Sequence, residues 1–507
     1  MDRRTAGIIA ALGVPTFAIG TDFTGALMLI IPIEREFGAD VTTTQWVLNV
    51  YALTFAMGMV AAGRIADMYG RRQILLIGVV IFVVGSVGCA ASPSIGWLIG
   101  SRAFQGIGAA LMWPCVLSIG STSVREDERA LAMGLILGIV TLGNVISPII
   151  AGIVGGLGEW RLFYVLNLAL GIASAVIVPM VIPRDPGSGR GEPIDYTGIA
   201  VLSLAILGLL YALDVGADWG WASFPTVGLL LVAAALFNAF PAVEKRVAGP
   251  MVPPPMIRNR HFLRALAANG LIVPALFLLF LYIPQYLHKV QGWSVLKSAL
   301  GTLPLMACLS VLSVTSGRFY NLIGPRRLIS LGYGVTALGA IATILVSPAW
   351  GYAGLLPAML LIGIGSGLTV GPSGTAAVSA VDPSRAGVAG ALSFTAHLAM
   401  GAIGVATGTA ILFGISTAKL QQGLAALGVS LSAVEQVTIS GAAAGTAAAR
   451  AILDRFTPQI ADQVTTTLRE AFVAGLHGAY WFALALTVVG VAVGLTLDDA
   501  KLKNVDR

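Results

Sequence analysis

Long apolar stretches recur along the chain, each interrupted by a short run of polar, Gly or Pro residues. A helix needs roughly 20 apolar residues to cross a hydrocarbon core. The pattern predicts fourteen such spans, at about 7–32, 45–63, 74–91, 96–119, 130–155, 162–182, 198–213, 224–241, 263–287, 298–316, 328–346, 352–371, 387–416 and 473–497. The implied fold class is an all-α polytopic membrane protein. Arg3 and Arg4 precede the first stretch and suggest a secretory signal, but that stretch is too long, contains Asp22 and lacks a small-residue cleavage site, so it reads as a retained helix.

Composition agrees with this pattern. Of 507 residues, 57% are hydrophobic and only 11% charged, with a mean hydropathy of +0.88, so a soluble fold of this length would be short of polar surface. The net charge of +6 could suggest nucleic acid, yet the basic residues gather in alternate loops, as orientation in a bilayer requires. With the N-terminus inside, Arg64, Arg71, Arg72, Arg125, Arg129, Arg184, Arg190, Lys245, Arg246, Arg258, Arg260, Arg264, Arg318, Arg326 and Arg327 fall on the cytoplasmic side, and Arg35, Arg161, Lys289 and Lys297 on the other. Both termini are therefore expected in the cytoplasm and the chain in the inner membrane. Cys89, Cys115 and Cys308 lie inside apolar stretches, which favours packing over disulfides or a metal site.

Two Gly- and Pro-rich stretches, Pro183 to Pro193 and Gly249 to Pro255, bracket a pair of spans. The partition is an N-terminal six-helix bundle over 1–183, a linker with two extra helices over 184–255, and a C-terminal six-helix bundle over 256–507. A long external loop at 417–472 interrupts the last bundle, and its 441–455 and 464–472 stretches could be amphipathic helices in a solvated insertion.

The loop after the second span reads Gly63-Arg-Ile-Ala-Asp67-Met-Tyr-Gly70-Arg71-Arg72. It resembles the signature loop of the major facilitator superfamily. Gly63 permits close helix approach, Gly70 can take the left-handed angle of a tight turn, and Asp67 could meet the positive N-terminal end of the thirteenth span near Gly387. Together with Arg71 and Arg72 these residues form a candidate cytoplasmic gate. A weaker copy, with Gly317, Arg318, Asn321, Gly324, Arg326 and Arg327, occupies the matching place in the second half, as expected of a transporter built from repeats. Only the first half is expected to carry the charged latch.

The fourth span opens with Arg102, Gln105, Gly106 and Gly108, similar to a second motif of the same family. Burying a guanidinium costs roughly 2.5 to 3.5 kcal/mol on insertion scales, so Arg102 needs a partner. Asp22, the one acid well inside a predicted span, is the candidate. At about 1.5 Å per residue, Asp22 lies roughly 15 Å deep and Arg102 roughly 8 Å, a difference that a long side chain could largely bridge. Burial favours the protonated carboxyl and a nearby arginine the ionised one, the competition a proton-coupling pair needs. A plain polar contact between helices remains the alternative. Asp22 within Thr21-Asp22-Phe23-Thr24 resembles the first-helix element of the fourteen-span drug:proton antiporter branch, with Pro32 one residue later than in that pattern. In the fifth span, Gly143, Ser147, Pro148, Ala151 and Gly152 resemble the antiporter-associated motif, with Ser147 and Ala151 in place of two glycines; small-residue packing alone is the alternative role. Trp160, Arg161, Phe163, Asn167 and Gly171, and later Tyr282, Gln285, Gly292 and Pro304, echo the same branch.

The resemblance implies a rocking carrier that exports lipophilic drugs in exchange for protons, with no cofactor other than the proton gradient. Candidate cavity residues are Trp46, Tyr51, Phe277, Phe280, Tyr282 and His397, although aromatic stripes commonly pack or face lipid, and a hydrogen-bonded packing role is the plainer reading of His397. Gly363, Gly365 and Gly367 sit in an apolar span without a preceding strand, and no phosphate-binding Gly-x-x-x-x-Gly-Lys motif occurs, so ATP is not the expected energy source. No catalytic cluster suggests an enzyme. Expected partners are lipophilic substrates, protons and membrane lipids, not nucleic acid; an adaptor protein is not legible. A dedicated lipid or metabolite exporter and a proton-coupled uptake symporter are the rival readings.

Overall fold

The computed structural model describes residues 2–499 apart from 40, 126–127, 186, 188–194, 248–249, 251, 253, 294, 348–349, 383–384, 433–434, 437–438 and 440–450. Fourteen helices among the described residues are long and apolar enough to cross a membrane. They are α1 (Arg3–Gly25), α2 (Val41–Tyr69), α3 (Arg71–Ala90), α4 (Ile95–Thr122), α5 (Arg129–Gly156), α6 (Arg161–Val181) and α7 (Tyr196–Trp219). After these come α8 (Phe224–Glu244), α9 (Arg260–Lys289), α10 (Leu303–Ile323), α11 (Pro325–Ile344), α12 (Gly351–Ser379), α13 (Ala386–Ala426) and α14 (Pro458–Leu495).

Local chemistry sets several helix boundaries. Side chains of Ser94, Asp195 and Ser223 accept backbone N–H groups in the first turns of α4, α7 and α8, satisfying donors that a helix start leaves orphaned. Gly70 at φ +104° and Gly324 at φ +86° make the abrupt turns from α2 into α3 and from α10 into α11. Beyond Gly25, α1 tightens into one 3₁₀ turn and continues as a short helix to Phe37, so the first apolar element ends later than its hydropathy suggests. In α9 the ladder breaks at Ile272 beside Pro274, and the Tyr333 hydroxyl donates to the Ala268 carbonyl at 2.5 Å.

Packing repeats between the halves. In the first, α3 lies along α4, α2 along α4, α1 along α5, and α6 along α3. In the second, α11 lies along α12, α10 along α12, α9 along α13, and α14 along α11. Shifting the helix number by eight maps one set onto the other, the signature of duplicated six-helix units. The halves meet through α2 with α13 and α5 with α10, a pair of contacts that the same shift exchanges. Of the extra pair, α7 and α8 pack on each other, and α7 touches both α2 and α13.

The stretch 417–472, expected to be a loop, is helical at both ends. At 41 and 38 residues, α13 and α14 are far longer than a span requires. Their extensions bury Leu420, Leu424, Val464 and Ala471 together with Ile439, and a Cβ at Gly423 would stand 2.3 Å from Thr467. Residues 464–472 therefore form helix as expected, within α14, whereas most of 441–455 lies outside the described residues.

Candidate functional site

Asp22 projects from α1 into a closed polar cluster. Its Oδ2 accepts the Arg102 Nη1 proton at 2.6 Å, and its Oδ1 accepts from Asn167 Nδ2 at 2.6 Å and Gln105 Nε2 at 3.2 Å. Gln105, one turn along α4 from Arg102, also receives Arg102 Nη1 at 2.7 Å and donates to Ser86 Oγ at 2.9 Å. Arg102 Nε donates to the Val47 carbonyl of α2 at 2.9 Å, and the guanidinium lies 4.2 Å from the Tyr51 ring centroid. Five helices thus converge on one ion pair. Asp22 is 0% exposed and Arg102 1%. Such a pair persists in a low-dielectric interior only when its remaining donors and acceptors are met, and here most are.

At the loop end of α2 the candidate gate residues bring the halves together. Asp67 Oδ1 accepts Arg71 Nε at 3.1 Å, and its Oδ2 accepts the Val388 N–H at 3.3 Å, in the first turn of α13. A carboxylate at the positive end of a helix is favourable. The backbones also touch: a Cβ on Gly63 would stand 2.7 Å from the Gly387 carbonyl oxygen. Arg71 Nη1 donates to Thr122 Oγ1 at 2.8 Å, and Arg72 Nη2 to the Pro179 carbonyl at 3.0 Å. Asp185, just beyond α6, accepts the Arg71 backbone N–H at 3.1 Å; Asp499, beyond α14, accepts that of Arg326 at 2.8 Å. The repeat therefore includes a carboxylate that the sequence reading missed, because it lies about a hundred residues or more from the loop it supports. Asn321, which stands where the second copy would carry its acid, is exposed.

In α5, a Cβ on Gly143 would approach the Phe17 carbonyl oxygen to 2.9 Å, and Ser147 Oγ donates to the Thr21 carbonyl beside Asp22. Ala151 is buried in the cluster with Leu29 and Phe163. Gly152 faces open space, and the Pro148 side chain lies outside the described residues.

The candidate cavity residues do not share one place. Trp46 rests on Tyr211 of α7 with ring centroids 5.5 Å apart, and Tyr51 lies under the Arg102 guanidinium and stacks on Phe55 at 6.0 Å. The helical period turns Tyr51 toward Arg102 and Trp46 toward the extra pair. Phe277 meets His397 edge-on at 5.8 Å, and His397 stacks on Phe394 at 5.5 Å. Phe394 in turn reaches Trp113 at 4.4 Å and Phe55 at 5.8 Å across the boundary between halves. Phe280 is half-buried in the second half, and Tyr282 shares a 2.6 Å hydrogen bond with Thr409. No hydrogen bond joins the His397 ring to another described residue, which differs from the hydrogen-bonded role expected for it.

A family profile described as Major Facilitator Superfamily matches residues 12–405. The chain belongs to the major facilitator superfamily. Membership makes it a multi-pass membrane transporter rather than an enzyme. Similar proteins include the multidrug resistance protein Stp of Mycobacterium tuberculosis, 30% identical over 83% of this chain and 77% of that protein. A puromycin resistance protein of Streptomyces alboniger is 30% identical over 87% of each chain, and the multidrug efflux pump LfrA of Mycolicibacterium smegmatis 28% identical over 96% and 94%. Among solved structures, the human organic anion transporter MFSD10 superposes with a TM-score of 0.62 at 12% identity, covering 97% of this chain and all of that one. At that identity the likeness establishes the fold.

Within this major facilitator chain, the sequence motifs contain Gln105 and Asn167 but give neither a partner. Both hold Asp22. An amide within one turn of a buried arginine was the available signal for Gln105; Asn167 carried none, since it lies 145 residues from Asp22 and its facing depends on how α6 packs.

Proposed function

We propose that the chain is a proton-coupled exporter of lipophilic drugs or related amphipathic compounds, working by alternating access in the inner membrane with both termini cytoplasmic. The export reading draws on the relatives whose names describe multidrug, puromycin and tetracenomycin C resistance or efflux. The observation that carries the coupling is the Asp22–Arg102 pair, fully buried and held by two amides. In the arrangement seen, α2 and α13 are latched at the Asp67 end, which in this reading faces the cytoplasm, supported by the basic residues gathered in the loops on that side. A proton reaching Asp22 from outside would remove the negative partner of Arg102, and an unpaired buried guanidinium is unstable, so protonation biases the bundle toward a rearranged state. Opening inward would then exchange that proton for substrate. The energy source in this reading is the proton gradient, with no cofactor.

The test is reconstitution with an internal pH-sensitive dye. Parent protein is expected to move protons opposite to drug, and Asp22→Asn to lose drug-dependent proton flux while still binding drug. Proton and drug moving in the same direction would assign uptake instead, and an Asp22→Asn variant with parental coupling would remove Asp22 from the mechanism.

A further inference from the structure

Along the exposed side of α3 in the first half, beside the latch, runs a groove of about 810 Å³. One wall is Leu76, Ile77, Val80 and Ile81, which fall on one stripe of the helix, with Ile77 42% and Val80 56% exposed. The same stripe continues to Val84 and Val87, both exposed, one to two turns farther along α3. Arg72 and Arg184 close the end of the groove where α3 begins. An apolar strip alone would be satisfied by any lipid tail; two guanidiniums at its head are not.

Arg184 is exposed, and no described residue forms a hydrogen bond or ion pair with its side chain. Arg72 uses one nitrogen on the Pro179 carbonyl, and no other described residue occupies its remaining donors. The one acid among the described lining residues, Asp185, has both oxygens engaged by backbone N–H groups, of Arg71 at 3.1 Å and Gly187 at 2.7 Å. The head of the groove therefore presents net positive charge and unused planar donors, which match a phosphate. We infer that this groove is a binding site for one anionic phospholipid, its phosphate held by Arg72 and Arg184 and an acyl chain laid along Ile77, Val80 and Val84. Basic pockets at the ends of membrane helices recognise anionic headgroups in this way. The occupant also touches Asp185, which packs on Gly70, where a Cβ would stand 2.4 Å from the Asp185 carbonyl oxygen, so a bound lipid would brace the linker against the latch.

Native mass spectrometry of the full chain in detergent, titrated with phosphatidylglycerol or phosphatidylcholine, tests the site without any transport assay. The expected result is one phosphatidylglycerol bound at least tenfold more tightly than phosphatidylcholine, with that preference cut several-fold by Arg184→Gln and removed by Arg72→Gln/Arg184→Gln. Arg318→Gln/Arg327→Gln, at the matching loop of the second half, should keep it. Equal binding of the two lipids by the parent, parental preference in the double variant, or equal loss in the control would overturn the assignment. So would tight binding of glycerol 3-phosphate, which has no tail to use the groove. Should the double variant fail to fold, Arg184→Gln carries the test alone, because that side chain bonds to no other described residue.

Discussion

At Arg102 one side chain serves two acceptors on its own helix and neighbours and a third on α2: the Asp22 carboxylate, the Gln105 amide oxygen and the Val47 carbonyl. Truncating it leaves all three buried and the carboxylate uncompensated, so Arg102→Ala should destabilise the first half by about 3 to 5 kcal/mol. Thermal unfolding of the purified protein is the measurement. Arg102→Lys should recover only part of this, since an ammonium offers no planar fork for a carboxylate and a backbone carbonyl at once. An unchanged melting temperature in Arg102→Ala would show that the cluster does not depend on its cation. Composition and motif made Asp22 and Arg102 readable as partners, and counting residues from the span ends brought them near one another. The sequence could not supply the amides of Gln105 and Asn167, because period and hydropathy give each helix a buried face but not its rotation against a helix far away in the chain.

Helix contacts sort the small residues of α5 by consequence. Gly143 abuts the α1 backbone one turn from Asp22, so Gly143→Val should push α1 and α5 apart and abolish export, whereas Gly152→Ala, which meets open space, should leave export within about twofold of parent. Drug efflux by cells carrying each variant checks both. The extensions of α13 and α14 make a different prediction. Arg455 at 2.5 Å, together with the Ser432 N–H and hydroxyl, holds the Glu435 carboxyl down to about 2 from its ordinary 4.5. A depressed acid contributes stability above its unfolded value and loses it as pH falls through its folded one. Hydrogen exchange in 451–472, corrected for intrinsic rates, should stay level from pH 7 to about 5 and rise between about 4.5 and 2, a rise that Arg455→Gln should suppress. All fourteen membrane helices were legible in the apolar stretches. The ends of α13 and α14 were not, since beyond the bilayer a helix of Ala, Gln, Thr and Leu keeps its backbone bonds but loses the continuous apolarity that announces a span.

The two halves touch through side chains that one pair of cysteines can tether. Thr395 Oγ1 lies 3.9 Å from Met59 Sδ across the α2–α13 contact, so the thiols of a Met59→Cys/Thr395→Cys protein should be joined by a short bis-methanethiosulfonate crosslinker. Export should then stop and return on reduction, if the halves must part here in each cycle; full activity in the crosslinked protein would mean that they do not. The internal duplication was visible in the two glycine-arginine loops, yet their charged content differs, and the loop with Asp67 reaches across to the other half. Asp22 also has a consequence for driving force. If one carboxylate takes one proton per turnover, exchange for a neutral compound carries a net charge inward, and the electrical potential adds about 2.3 kcal/mol per 100 mV to the pull of the pH difference. Exchange for a monovalent cation carries none. The same pump would then respond to valinomycin-set voltage with one class of cargo and ignore it with the other.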